Sequence, residues 1–537
     1  MVLVLAMVIS MALIPLFVRY APVLGMVDLP DPRKVHVKPI PRVGGVGIVV
    51  GALVPMFVWL PYEPLFVSFL VGSLILFLFG LWDDARELGH YVKFIGQFIA
   101  VGLVVFWGDL YVHFLPLVDQ PLSETGGKLF TFIAMVGMIN AINHSDGLDG
   151  LAGGESLMSL IAMIYLASLA DGDLAMLIGV ATIGGVFGFL RYNSHPANVF
   201  MGDGGSQFLG FVLAFLAVYL TQEVNPALSP ALPLLILGLP IADILAVFAQ
   251  RIYHGMNCFK ASKNHVHHRL LELGFRHYES VVIIYSVQLL LVASGALLPY
   301  ETDALLLGMY FAVIGALFIG LYLAERAGWR FSHRDSTLPD AERFAAFLHS
   351  GRSEQIVNLA LQGLLGVFVL GAALLSERVP VEVSRVALVL LVLLLVRLLL
   401  GYRVWFLYLR LQLFVCVAVF VYLFDFLSPD WVSEQSMIWV YAYFGLLVAL
   451  LALAMKFVQV ERFRLSPLDF LVVIMMLVAG LFAEQLGLSA DTQQTVIETV
   501  VLFYAVEWVL QHMRSRWNLF TGATLAGLAV TIVRGLA

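Results

Sequence analysis

Charge is scarce in this chain. Asp, Glu, Lys and Arg make up 12% of its 537 residues, about half of the roughly 25% found in soluble domains. Hydrophobic residues make up 61% and the mean hydropathy is +0.94. A soluble globular domain is excluded, and a polytopic membrane protein is indicated. Cysteine is nearly absent: Cys258 and Cys416 stand far apart, which leaves no disulfide framework and no thiolate metal site. No Gly-Lys-Ser/Thr phosphate loop, no GxGxxG run and no HExxH run is present, so P-loop, dinucleotide-fingerprint and zincin chemistries lack their signatures. The net charge of −7 is spread over loops and names no partner; nucleic acid is not expected. The N-terminus lacks a basic stretch and a small-residue cleavage site, so residues 1–18 read as a first membrane helix rather than a leader.

Long apolar runs are abundant. Spans of about 17–22 residues that can each cross a bilayer as a helix lie near 1–18, 43–60, 64–82, 92–108, 128–142, 151–170, 174–190, 207–221, 231–250, 279–298 and 303–323. Basic residues fall in alternate connections: Arg19, Arg33, Lys34, Lys38 and Arg42; then Arg86 and Lys93; then Arg191; then Arg251, Lys260, Lys263, Arg269 and Arg276. By the positive-inside rule these loops face the cytoplasm and the N-terminus lies outside. The polar clusters all fall in the same set of loops, which predicts a single cytoplasmic active site.

The most informative stretch is Asn140–Gly154, N-A-I-N-H-S-D-G-L-D-G-L-A-G-G. Carboxylates at a membrane boundary are costly unless they bind a cation or a polar substrate, and Asp146 and Asp149, three apart, would share a face on a helical turn. Asp83 and Asp84 end another apolar helix. Adjacent carboxylates repel and push their pKa values apart unless a cation lies between them. Asp203 sits in G-D-G-G ahead of an apolar run. Its glycines, Gly202 and Gly204 among them, are expected to offer backbone N–H groups to phosphate, and its carboxylate to hold Mg²⁺. The first loop offers Lys34, His36 and Arg42 to an anion or serves topology alone. His265, His267, His268 and Arg269 form a dense cationic cluster. Zinc is one reading, and phosphate contact is preferred. Together these loops suit phosphoryl transfer, where positioning and charge neutralisation do most of the work. The membrane setting implies a lipid substrate, and the cytoplasmic setting a soluble nucleotide derivative.

With these motifs in order, residues 1–325 resemble the polyprenyl-phosphate N-acetylhexosamine-1-phosphate transferase superfamily. The matching runs are Asp83-Asp84, N-x-x-N-x-x-D-G-x-D-G-L at Asn140–Leu151, F-M-G-D-x-G-S at Phe200–Ser206, H-x-H-H-R at His265–Arg269, and R-K-x-H-x-x-P-x-P-R-x-G-G in the first loop. The resemblance implies an all-α membrane fold of ten or eleven helices in the bacterial inner membrane. It also implies transfer of a sugar-1-phosphate from a UDP-sugar to a polyprenyl phosphate, with UMP leaving. Mg²⁺, replaceable by Mn²⁺, is the implied cofactor, with Asp203 as its ligand. Asp83 or Asp84 would orient or deprotonate the lipid phosphate. Asp146 and Asp149, with Asn140 and Asn143, would contact the nucleotide and its phosphates, and the His loop would bind phosphate or sugar. The P-R-V-G-G run at Pro41–Gly45 is similar to the branch that starts O-antigen and teichoic acid glycans, which implies UDP-N-acetylglucosamine and undecaprenyl phosphate. The His144-Ser145 pair departs from the apolar pair common there and bears on donor choice. A phospho-N-acetylmuramoyl-pentapeptide donor and an ion-coupled transporter are the alternatives. A homodimer and glycan-assembly partners are further expectations.

The resemblance ends near residue 330. A polar linker at 331–354 and about seven more spans are expected, near 355–375, 385–401, 403–424, 436–457, 467–485, 494–511 and 518–534. Arg397, Arg410 and Glu507 interrupt them. Lipid handling, partner docking and transport are all open for this region.

Overall fold

The computed structural model describes residues 2–30, 38–86, 88–256, 264–331, 351–377, 379–400, 406–427, 437–457, 490–511 and 518–536. The chain divides into two compact units, with residues up to 331 in the first and those from 351 in the second.

The first unit is a bundle of α1 (Val2–Leu24), α2 (Gly44–Trp59), α3 (Pro64–Arg86), α4 (His90–Gly102), α5 (Glu124–Ser145), α6 (Leu151–Ser168), α7 (Asp173–Asn193), α8 (Gly202–Tyr219), α9 (Leu232–Ile236), α10 (Gly238–Tyr253), α11 (Val266–Glu272), α12 (His277–Leu297) and α13 (Asp303–Arg326). A two-residue antiparallel pairing joins Val27–Asp28 to Ile40–Pro41. Among the described residues of the whole chain, eleven helices are long and apolar enough to cross a membrane, nine of them in this unit.

The span expected at 231–250 is broken into α9 and α10. Pro233 and Pro240 fall on either side of the break at Leu237, and proline cannot continue a helix ladder. Backbone groups freed inside a membrane must find other partners. Ser159 and Gln288 donate to the Ile236 carbonyl at 2.7 and 2.9 Å, the Leu239 N–H donates to Gln288 Oε1 at 3.2 Å, and Tyr310 donates to the Gly238 carbonyl at 3.2 Å.

At the centre lies α8, apolar on all sides after Gln207 and almost wholly buried, as a helix enclosed by other helices should be. Its Phe211 and Phe215 pack on Phe69 of α3 with ring centroids 5.6 and 4.3 Å apart. This helix begins at Gly202, inside the G-D-G-G run and five residues before the predicted start. Asp203 therefore stands on its first turn rather than in a preceding loop.

The second unit comprises α14 (Gly351–Leu375), α15 (Val381–Leu400), α16 (Phe406–Leu427), α17 (Met437–Phe457), α18 (Ala490–Gln511) and α19 (Leu519–Leu536). Six of the seven expected spans are present; the one near 467–485 lies outside the described residues. Helix α14 starts at Gly351, so the end of the expected linker is helical. The core holds Phe368, Phe420, Trp508 and Phe520. The side chains of Arg397, Arg410 and Glu507 lie outside the described residues.

Candidate active site

Connections at one end of the first bundle converge on a single cavity of about 880 Å³. Its lining draws on the first loop, the α3 end, α4, the α5–α6 loop, the α7–α8 loop, α11 and the start of α12. This is the co-location read from the alternating loop charges.

On one wall stand Asp83, Asp84, Lys93, Asn143 and Asp203. The N–H groups of Asp203 and Gly204 donate to Asp84 Oδ1 and Oδ2 at 2.8 and 3.1 Å. Asp84 thus caps α8 across helices, satisfying donors that a helix N-terminus leaves open. Gly202 has φ of +73°, and a Cβ there would meet Asp84 Oδ2 at 2.6 Å. One expectation is corrected here: the amides of Asp203 and Gly204 donate to a carboxylate of the protein, Asp84.

Lys93 is the one Lys, Arg, Asp or Glu in α4. Its Nζ is 2.7 Å from Asp83 Oδ2 and 2.6 Å from Asp203 Oδ2. Asn143 donates to Asp203 Oδ1 at 3.2 Å and to Ser206 Oγ at 2.8 Å, and Gln207 donates to Asp203 Oδ2 at 3.3 Å. Among the described residues, Asp83 Oδ1 is buried with no hydrogen-bond partner. A carboxylate oxygen stranded beside a second carboxylate, with no sulfur ligand near, fits a hard divalent cation. Asn140 lies one turn deeper and does not line the cavity. It donates to Gln97 Oε1 at 2.8 Å, and Gln97 donates to Gln207 at 3.2 Å, so it stands behind the wall.

The α5–α6 loop is fixed by Asn193, whose Oδ1 accepts from the Gly150 N–H at 2.8 Å, and by Tyr285, which donates to the Gly150 carbonyl at 2.6 Å. Asp146 ends α5 and faces the cavity. Its burial, then the charges of Asp203 and Asp149, push its carboxyl up to about 7 against the pull of Arg42. Burial also pushes Asp149 up, but contacts with His195, His277 and the Ala197 amide outweigh it and hold the carboxyl below its ordinary value. Asp149 Oδ2 lies 2.6 Å from His195 Nδ1, accepts from the Ala197 N–H at 3.0 Å, and lies 3.8 Å from His277 Nε2. The rings of His195 and His277 stack with centroids 4.2 Å apart. These three residues could surround a metal by distance alone. However, the Asp149–His195 contact is a direct hydrogen bond, and His277 Nε2 accepts the Asp149 N–H at 3.1 Å, so the ring nitrogen of each histidine nearest Asp149 is already engaged.

Sequence reading missed His195 and His277 as site residues and counted Lys93 only as a topology charge. A lysine inside an apolar span was the available signal for the last.

The His-rich segment divides. His268 lines the cavity. His267 is buried beneath the α5–α6 loop, where a Cβ on Gly147 would lie 2.3 Å from its Nε2. Burial, then the neighbouring His268, pushes its imidazole down to about 3, so it is uncharged at neutral pH and supplies no cation to phosphate. His265 is also buried, with Nδ1 2.7 Å from Asp243 Oδ2. Arg269 does not line the cavity and forms a two-pronged pair with Glu325 at 2.6 and 2.9 Å. His144 stacks on His265 at 5.1 Å and does not line the cavity. Arg42 lines the cavity and pairs with Asp28. Lys34 and His36 lie outside the described residues.

Oxygen-rich acids around one lysine, in a cavity at the end of an apolar bundle, define a membrane-embedded site for phosphoryl chemistry. The family described as Glycosyl transferase family 4 matches residues 66–221. A Bacillus subtilis (strain 168) protein named "Probable undecaprenyl-phosphate N-acetylglucosaminyl 1-phosphate transferase" is 33% identical over 305 residues, covering 56% of this chain and 85% of the relative. The decaprenyl-phosphate N-acetylglucosaminephosphotransferase of Mycobacterium leprae (strain TN) is 34% identical over 322 residues, covering 53% of this chain and 81% of the relative. The undecaprenyl-phosphate alpha-N-acetylglucosaminyl 1-phosphate transferase of Escherichia coli (strain K12) is 29% identical over 320 residues, covering 58% of this chain and 87% of the relative. The chain belongs to the polyprenyl-phosphate N-acetylhexosamine-1-phosphate transferase superfamily, in its N-acetylglucosamine-1-phosphate branch. It is a sugar-phosphate transferase.

Proposed function

We propose that this chain transfers N-acetylglucosamine-1-phosphate from a UDP-linked donor to a polyprenyl phosphate, undecaprenyl phosphate in the first instance. An oxygen of the lipid phosphate attacks the β-phosphorus of the donor. The bond from that phosphorus to the α–β bridging oxygen breaks, UMP leaves with the bridging oxygen, and a polyprenyl-diphosphate sugar forms. The observation that carries this reading is the junction of Asp83, Lys93 and Asp203 in a cavity that Asp146, Asp149 and His268 also line. The names of the relatives supply the lipid and the sugar.

Asp83, Asp203 and Asn143 would hold Mg²⁺, which when bound supplies neutralising charge for the donor's phosphates. Lys93 offsets the charge of two carboxylates and so lets an anionic diphosphate approach. Arg42, Lys38 and His268 line the same cavity and offer contacts to phosphate or sugar. Asp146, titrating near neutrality, is the carboxyl suited to exchange a proton at working pH. A second reading routes transfer through a covalent N-acetylglucosamine-phosphoryl ester of Asp83, formed as UMP leaves and then passed to the lipid phosphate, favoured by the stranded Oδ1 of Asp83. The alternating basic loops support a cytoplasmic cavity and an outside N-terminus.

The test is a mass measurement of the lipid product. Purified protein, undecaprenyl phosphate, UDP-N-acetylglucosamine and Mg²⁺ should give undecaprenyl-diphosphate N-acetylglucosamine. A folded preparation that leaves the lipid unchanged contradicts the reading. Acid-quenched single turnovers that accumulate Asp83 carrying N-acetylglucosamine-1-phosphate would replace direct attack with the two-step route.

A further inference from the structure

Asp243 of α10 lies outside the cavity lining and has no part in the chemistry proposed above, yet it is committed to the His-rich segment through both of its oxygens. The residue is 8% exposed. Its Oδ2 lies 2.7 Å from His265 Nδ1, and its Oδ1 accepts the Val266 N–H at 2.9 Å. A carboxylate can only accept, so His265 carries its proton on Nδ1. Val266 is the first residue of α11, which has no side-chain cap of its own. Asp243 therefore caps a seven-residue helix that is too short to hold itself in place.

From this clamp a file of imidazoles runs to the cavity. The His265 ring stacks between His144 at 5.1 Å and His267 at 5.8 Å, and His267 packs on His268 at 4.2 Å. His268 is the member of the file that lines the cavity. His267 is also pressed against Gly147, in the loop between Asp146 and Asp149. A displacement of α11 is thus transmitted both to His268 and to the acid-bearing loop.

We propose that Asp243 is a positioning residue for transfer: through its clamp on His265 and Val266 it fixes α11 and so sets His268 in the cavity. The inference rests on the transferase reading for its kinetic consequence and on geometry alone for the clamp. Asn at position 243 keeps the size but can only replace one of the two acceptors. It either loses the Val266 N–H or presents an N–H to His265 Nδ1, forcing the other tautomer, a change known to disable a histidine without disturbing its surroundings.

The experiment is a double-mutant cycle on kcat/KM for the donor, with D243N, H268Q and the double variant in the full chain. Each single variant should lower kcat/KM by roughly tenfold, and the double variant should lose little more than either single one, because coupled residues are non-additive. Losses that multiply would overturn the proposal. A separate arm needs no activity. In ¹⁵N-histidine spectra, the Nδ1–H signal assigned to His265 through H265Q should change in D243N, and an unchanged signal would refute the clamp. If the wild-type chain transfers nothing, the functional reading fails while this arm still decides the clamp. If D243N does not fold, H265Q, which keeps an N–H donor for Asp243, should retain more transfer than H265A; equal loss in both contradicts positioning through this hydrogen bond.

Discussion

Asp84 on α3 accepts the backbone N–H groups of Asp203 and Gly204 at the start of α8. One half of the acidic pair is thereby the cap that presents the Asp203 carboxylate. Asp83, its neighbour, has a different fate: one oxygen on Lys93 and one without a partner among the described residues. D84N keeps only one acceptor, so it should lose about 1–2 kcal/mol of stability, lowering both Tm and transfer. D83N should abolish transfer with a smaller change in Tm. Thermal unfolding beside UMP release distinguishes the two; equal Tm losses would contradict this division of roles.

Lys93 joins Asp83 and Asp203. Removing its charge in K93M leaves two carboxylates repelling each other. Transfer should fall by at least ~10²-fold, in the range of other deleted electrostatic groups. The divalent-ion concentration needed for half-maximal activity should fall as well, because a competing cation has gone. A Mg²⁺ titration of K93M and wild type checks both.

Asp146 titrates near 7 instead of its ordinary 3.8. The native state keeps a proton that the unfolded chain has already released between about pH 4 and 7. Stability contributed by this site therefore falls as pH rises through that window. D146N removes the penalty, so its Tm should match wild type near pH 4 and exceed it at pH 8. Parallel Tm curves across that range would contradict the assignment.

Arg269 is paired with Glu325 rather than turned to the cavity. R269A should change the donor KM by no more than about twofold and stability by about 1 kcal/mol or less, as for an exposed pair. Steady-state kinetics decide the matter; a tenfold rise in KM would return Arg269 to the binding site.

Nine of the eleven spans expected in the first unit are helices of bilayer length, legible because long apolar runs leave a composition signal. The shared face of the polar loops was legible because alternate connections of a helical bundle return to the same end. Asp83, Asp146, Asp149 and Asp203 stood out because acids at membrane edges are rare. What could not be read were pairings across long sequence distance: Lys93 with Asp203, 110 residues on, and His277 with the Asp149 amide, 128 residues back. The G-D-G-G run misled for a related reason. Glycines permit close approach by any anion, and here Asp84 of another helix took the place assigned to phosphate. The H-x-H-H-R run likewise read as one cationic surface, whereas burial divides it into a scaffold and a single cavity-lining ring.

The central claim is that this cavity carries out lipid-dependent transfer of a sugar-1-phosphate. Its most direct measurement is UMP release from a panel of UDP-sugars by the purified full chain, with and without undecaprenyl phosphate and Mg²⁺. The account predicts UMP only when lipid and metal are both present, fastest with UDP-N-acetylglucosamine, and lost in D203N. UMP release that ignores the lipid, or a folded protein that releases none from any donor, would contradict it.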